Sequence, residues 1–213
     1  MKRRNVVTIA IALIIILIGI IMISTVGFNK ELRYKESQKI DIYINNEVEI
    51  GKIKEITDEV LGKQNLVQAV EIYKDMVTIR AISISEEDVG TIITKLKEVY
   101  TFDQTAEDTE IKNVPSTRIY DMFKDYIIPF VISGVIIVAY MAIRYYKKGI
   151  VSVILNTVLI PVLSESVLMS LIAITRIPVG MFTPSCVLLV YFASIMYVIY
   201  RVEKKPNVVK NKK

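Results

Sequence analysis

Glu165 is the residue best placed to do chemistry. It is one of only two acids after residue 125, the other being Glu203, and it interrupts the apolar stretch 150–175. An ionised carboxylate at the centre of a bilayer costs at least about 2.5–3.5 kcal/mol on insertion scales. Such a group is expected to be protonated, paired or hydrated. It reads as a proton-relay carboxylate, as a helix-packing polar residue, or as a residue near a break that reaches water. Asn156, Ser164 and Ser166 stand near enough in sequence to supply hydrogen bonds. Arg176 lies about 16 Å further along a straight helix, too far to pair with Glu165 unless the helix breaks, and reads as an interfacial arginine. Pro161 and Pro178 are hinge candidates, with static kinks as the plainer reading. Ser133 and Gly134 would let neighbouring helices approach closely.

Other chemistry is poorly provided for. The chain has 213 residues, one cysteine (Cys186) and no histidine. An intramolecular disulfide is excluded, and histidine-based catalysis and ordinary zinc sites lose their usual ligands. Cys186 sits in an apolar run and is expected to be buried, inert packing. No nucleophile–base pair, glycine-rich phosphate loop or metal-ligand cluster is present in the sequence. The expectation is a protein that is not an enzyme and needs no metal or cofactor.

Charge is split along the chain. Residues 29–125 hold 14 Lys/Arg and 20 Asp/Glu, whereas residues 126–213 hold 10 basic residues against Glu165 and Glu203. The net charge of +5 therefore belongs to the apolar part, which argues for membrane topology and against a nucleic-acid partner. Four apolar runs are long enough to span a membrane: 6–26, 127–143, 150–175 and 179–200. The first, after Met1-Lys-Arg-Arg, is longer than a signal-peptide core and reads as an uncleaved anchor. Pro129 falls at the start of the second run, where a helix tolerates proline. The third, with Pro161 and Ser164-Glu165-Ser166, is one kinked span or a re-entrant pair, the single span being favoured. Basic residues number three before the first run, three after the second and six after the fourth. With four spans all three groups share one side, as the positive-inside rule requires. The expected plan is a first span (1–28), an extracytoplasmic domain (29–125), a three-span bundle (126–200) and a basic cytoplasmic tail (201–213). Both ends lie in the cytoplasm of a multi-pass protein of the cell membrane. The tail from Lys204 fixes topology or binds anionic lipid.

Residues 39–112 read as strand, helix, strand, strand, helix, strand. Lys39-Ile-Asp-Ile-Tyr-Ile alternates with period two. Asn46 is a helix cap with Glu49 three residues on, followed by Ile53, Ile56 and Val60 at helical spacing, and Gly62 is a terminator. Two β-rich runs, 66–73 and 76–82, are joined at Lys74-Asp75. Ser85 caps the second helix with Asp88 three residues on. Its apolar face is Val89, Ile92, Ile93, Leu96, Val99 and Tyr100, and Glu86-Glu87-Asp88 suits its positive end. A polar strand is expected near 105–112. This order is the βαββαβ, ferredoxin-like plan, so the fold class is a four-span α-helical membrane bundle with an extracytoplasmic α+β domain.

That arrangement resembles the SecD/SecF protein-export membrane proteins of the resistance-nodulation-division superfamily, and SecF more than SecD. Gly27-Phe28-Asn29 leaves the first span as the family's Gly-Leu-Asn does, and Val114-Pro115-Ser116 stands where the family has Val-Gly-Pro. Arg144-Tyr145 looks like the family's Arg-Phe. Val198-Ile-Tyr-Arg-Val-Glu203 is similar to the motif that closes the family's fourth span. Arg33-Tyr34-Lys35-Glu36-Ser37 lacks the two glycines of the family's Asp-Phe-x-Gly-Gly. Four spans are read where SecF normally has six. Ser194-Ile-Met-Tyr197 lacks the family's intramembrane Asp. Glu165 stands near the position of the family's third-span His-Asp. The resemblance implies an auxiliary subunit of protein export that pairs with a SecD-like subunit beside the translocation channel. It would handle a polypeptide substrate and respond to the proton gradient. The alternatives are a membrane-anchored scaffold whose outer domain binds an envelope protein, or half of a small-molecule efflux system.

Overall fold

The computed structural model describes residues 3–45, 49–62, 64–70 and 73–206. Lys2, the expected cap Asn46 and the tail from residue 207 lie outside that set. The chain divides into two compact units, one of Met1–Asn29 with Ile119–Lys213 and one of Lys30–Arg118.

The second unit is a four-stranded antiparallel sheet with two helices. Its elements are β1 (Ser37–Tyr43), α2 (Ile50–Leu61), β2 (Asn65–Val70), β3 (Tyr73–Ala81), α3 (Glu86–Val99) and β4 (Lys112–Val114), and the strand order is β2-β3-β1-β4. Period-two alternation sends Ile40, Ile42, Val77, Ile79 and Val67 to one face, where they meet Ile53 of α2 and Val89, Ile92 and Leu96 of α3. Gly62, at φ 74°, ends α2 in a conformation that disfavours a side chain. Ser85 and Asp88 form the expected reciprocal capping box.

Three local expectations change. The β2–β3 reversal does not fall at Lys74-Asp75, because β3 already begins at Tyr73 and pairs back across a bulge at Ala69/Val70. The last strand is Lys112–Val114. Residues 105–110 instead form a loop held by Thr105 and Asp108, whose short side chains bond nearby backbone more readily than they join a ladder. The described cap of α2 is Glu49, which makes no side-chain cap bond.

The first unit has four helices long and apolar enough to cross a membrane: α1 (Arg3–Thr25), α4 (Ile119–Arg144), α5 (Ile150–Thr175) and α6 (Thr183–Glu203). The third apolar run is a single helix, α5, about 39 Å long. Helix α4 starts well before the apolar run, so Pro129 stands inside it and not in its first turn. The missing N–H there leaves the Asp125 carbonyl without its helical donor. Helix α5 is central, touching α1, α4 and α6. Helices α1 and α5 run parallel: Gly19 lies against Ser170, and Gly27 further along lies against Arg176. The N-terminal end of α5 meets the C-terminal end of α6, where Lys205 donates to Ser152 Oγ at 2.8 Å and Lys148 donates to the Glu203 carbonyl at 3.0 Å. The basic residues around Arg144 and Arg201 therefore gather at one end of the unit, over a small core of Met141, Val153, Val198 and Val202.

Among the glycines compared, Gly19 is the most tightly packed. A Cβ there would stand 2.6 Å from the Ser170 Cα, a backbone atom that cannot swing away. Gly134, by contrast, would meet only the Tyr191 hydroxyl at 3.7 Å. Gly19→Leu should destabilise the helical unit by about 1–3 kcal/mol, the usual overpacking cost, while Gly134→Ala should be near neutral. Thermal midpoints of the full chain in detergent will distinguish the two; equal effects would refute the assignment.

On the sheet, Asp41 accepts hydrogen bonds from Thr78 (2.7 Å) and Lys39 (3.3 Å), with Lys112 Nζ at 3.7 Å. Burial pushes its pKa up. The Thr78 and Lys39 hydrogen bonds and the charges of Lys39 and Lys112 outweigh that and hold it below the usual 3.8. Because the folded value is the lower one, this stabilisation is complete above about pH 3.8 and is lost as pH falls through the depressed value. Asp41→Asn should flatten that part of the acid limb, read as urea midpoints at about pH 5 and about pH 2.5.

Candidate functional site

A cleft of about 740 Å³ runs between α4 and α5, with α6 behind it. Val131, Val135 and Ala139 of α4 and Val158 and Val162 of α5 form its exposed walls. Thr157, Pro161 and Tyr191 are the buried lining residues, and Phe130 packs on the Tyr191 ring with centroids 4.6 Å apart. Glu165 lines this cleft. Both of its carboxylate oxygens are shielded from solvent, and among the described residues neither has a hydrogen-bond partner.

The polar residues expected to support Glu165 do not reach it. Ser164 donates to the Ile160 carbonyl at 2.9 Å, and Ser166 donates to the Val162 carbonyl at 2.7 Å. Asn156 bonds the Ser152 carbonyl. Each is satisfied one turn back on its own helix, the local bond open to short polar side chains. A carboxylate has no such option. Ionised, it only accepts, and a helix interior offers side chains carbonyls with a spare lone pair but no free N–H.

Pro161 is buried inside α5 and leaves the Thr157 carbonyl without its helical donor. Pro178 lies in the connection between α5 and α6, outside either helix. Ser133 donates to the Phe130 carbonyl at 2.9 Å. Gly134 makes ordinary contact with Tyr191, so of these two glycines it is Gly19, and not the expected Gly134, that marks a close helix approach. Cys186 is exposed, against expectation, because it lies off the buried face of α6 that carries Tyr191, Ser194, Val198 and Val202. Among the described residues no group of His, Cys, Asp and Glu could hold a metal ion.

A second polar cluster lies at the end of the unit opposite the basic residues. Arg176 caps α5 in the left-handed conformation (φ 57°) and donates from Nη1 to the Gly27 carbonyl at 2.5 Å. Asn29 Nδ2 donates to the Arg176 carbonyl at 2.9 Å, and the Val179 N–H donates to the Asn29 carbonyl at 2.7 Å. The exit of α1 is thus stitched to the α5–α6 connection on both sides of Pro178. Sequence reasoning placed Arg176 at an interface but missed this clasp. The available signal was Asn29, a side chain with both donor and acceptor just past the first span.

No family model and no curated protein matches the chain.

Arg176→Met keeps a long side chain at this positive-φ position, so the left-handed strain is unchanged, and removes the guanidinium bond. It should cost about 1.5–3 kcal/mol, the range for hydrogen bonds to charged groups. The thermal midpoint of the full chain in detergent tests this, and an unchanged midpoint would mean that the clasp contributes nothing.

Proposed function

We propose that this chain is a SecF-like auxiliary subunit of protein export in the cell membrane. The observation that carries the reading is the architecture: a βαββαβ unit inserted between the first and second of four apolar helices, which gather their basic residues at one end. In this reading the four helices span the bilayer and the basic end faces the cytoplasm. Residues 30–118 then form a ferredoxin-like domain outside, a plan supported by the β2-β3-β1-β4 antiparallel order. Parallel α1 and α5 suit this topology, since both then enter from the cytoplasmic side. The partners are a SecD-like subunit, the translocation channel, the emerging polypeptide and membrane lipid. Glu165 is the group through which a proton gradient would act.

The resemblance to the export family rests on short motifs, and a second reading competes with it. Glu165 has no protonatable partner among the described residues of the bundle, and the hydroxyls near it are bonded elsewhere. That favours a non-transporting scaffold whose outer domain binds an envelope protein.

The deciding experiment is export of a reporter preprotein in cells depleted of this chain. Depletion should slow export. Wild type should restore it and Glu165→Gln should not, at equal membrane levels. Equal rescue by both would remove the proton role, and no defect on depletion would favour the scaffold.

A further inference from the structure

The apolar walls of the α4–α5 cleft would be satisfied by lipid chains, but the carboxylate within it would not. Lipid tails offer no hydrogen bond, and both oxygens of this side chain are already shielded from solvent and unpaired among the described residues. A polar group at that depth without a partner is costly. The chain's own nearest cation on α5, Arg176, is held at the Gly27 carbonyl. The walls are also narrow: Ala139, Ala142 and Gly134 leave room for another helix to approach α4 closely. We propose that the α4–α5 cleft is the seat of a transmembrane helix from a different protein, which brings a lysine or arginine to Glu165; the carboxylate, shielded in the chain alone, turns toward the cleft to meet it. A second copy of this chain does not fit, since it would bring another carboxylate and no intramembrane cation. The inference rests on the part of the proposed function that sets these helices in the bilayer, not on a role in export.

The test uses the full-length chain in its native membrane. A photo-crosslinking amino acid replaces Val135 on the cleft wall. A control carries it at Leu189, which is 70% exposed on α6 and does not line the cleft. Adducts are mapped to the residue by mass spectrometry. The expected result is an adduct from position 135 but not 189, on a transmembrane helix of another protein with a lysine or arginine within about one turn. Glu165→Gln should reduce its yield at least about tenfold, the equivalent of 1.4 kcal/mol. If Glu165→Gln fails to accumulate, Val158→Trp serves instead. It leaves the carboxylate in place, blocks the cleft, and should abolish the same adduct. Adducts to lipid alone, to another copy of this chain, or to a helix without a basic residue would overturn the inference. So would a yield unchanged by the substitution. A basic helix from a protein outside the export machinery would uphold the cleft assignment while removing the export reading.

Discussion

The close seating of α1 on α5 is the constraint on which the helical unit depends. At Gly19 the two backbones approach so nearly that any Cβ would run into the Ser170 Cα at 2.6 Å. Without water to drive association, helices in lipid are held mainly by such packing and by hydrogen bonds between them. The Arg176–Gly27 and Asn29–Arg176 bonds finish the same seam at its far end. With one face of α5 fixed to α1, its other faces are left to α4 and α6, and the cleft lies where α4 and α5 part.

Several polar side chains along these helices follow one rule, and Glu165 departs from it. Thr157, Ser164, Ser166 and Ser170 each donate to a carbonyl four residues back on α5, and Ser194 donates to the Tyr191 carbonyl on α6. Hydroxyls can be satisfied this way because a helix presents acceptors to its side chains. A carboxylate needs donors, and the helix has none to spare. Glu165 is the exception because of its chemistry when ionised, not its position.

The sheet unit was largely legible because its signals are local. The alternation around Ile40 and Ile42, the Ser85–Asp88 cap and the Gly62 terminator each act within a few residues. The β2–β3 reversal was misplaced because Tyr73 and Lys74 suit a strand or a turn equally, and pairing with β2 decides between them. Pro129 was misread for a related reason. Residues 119–126 are polar enough to be read with the outer domain, yet they begin the helix that the apolar run continues.

By itself the sequence determined the four apolar helices, their alternating ends and the βαββαβ order. Each of these follows from composition and period over one segment. The tertiary structure alone decided that α5 is central, that the tight contact is Gly19 and not Gly134, and that Arg176 turns to Gly27. It alone showed Ser164 and Ser166 turned away from Glu165. Those outcomes depend on which faces of nearly uniform apolar helices meet. A helix that is apolar all round carries almost no periodic signal of its buried side, so only packing in three dimensions selects it.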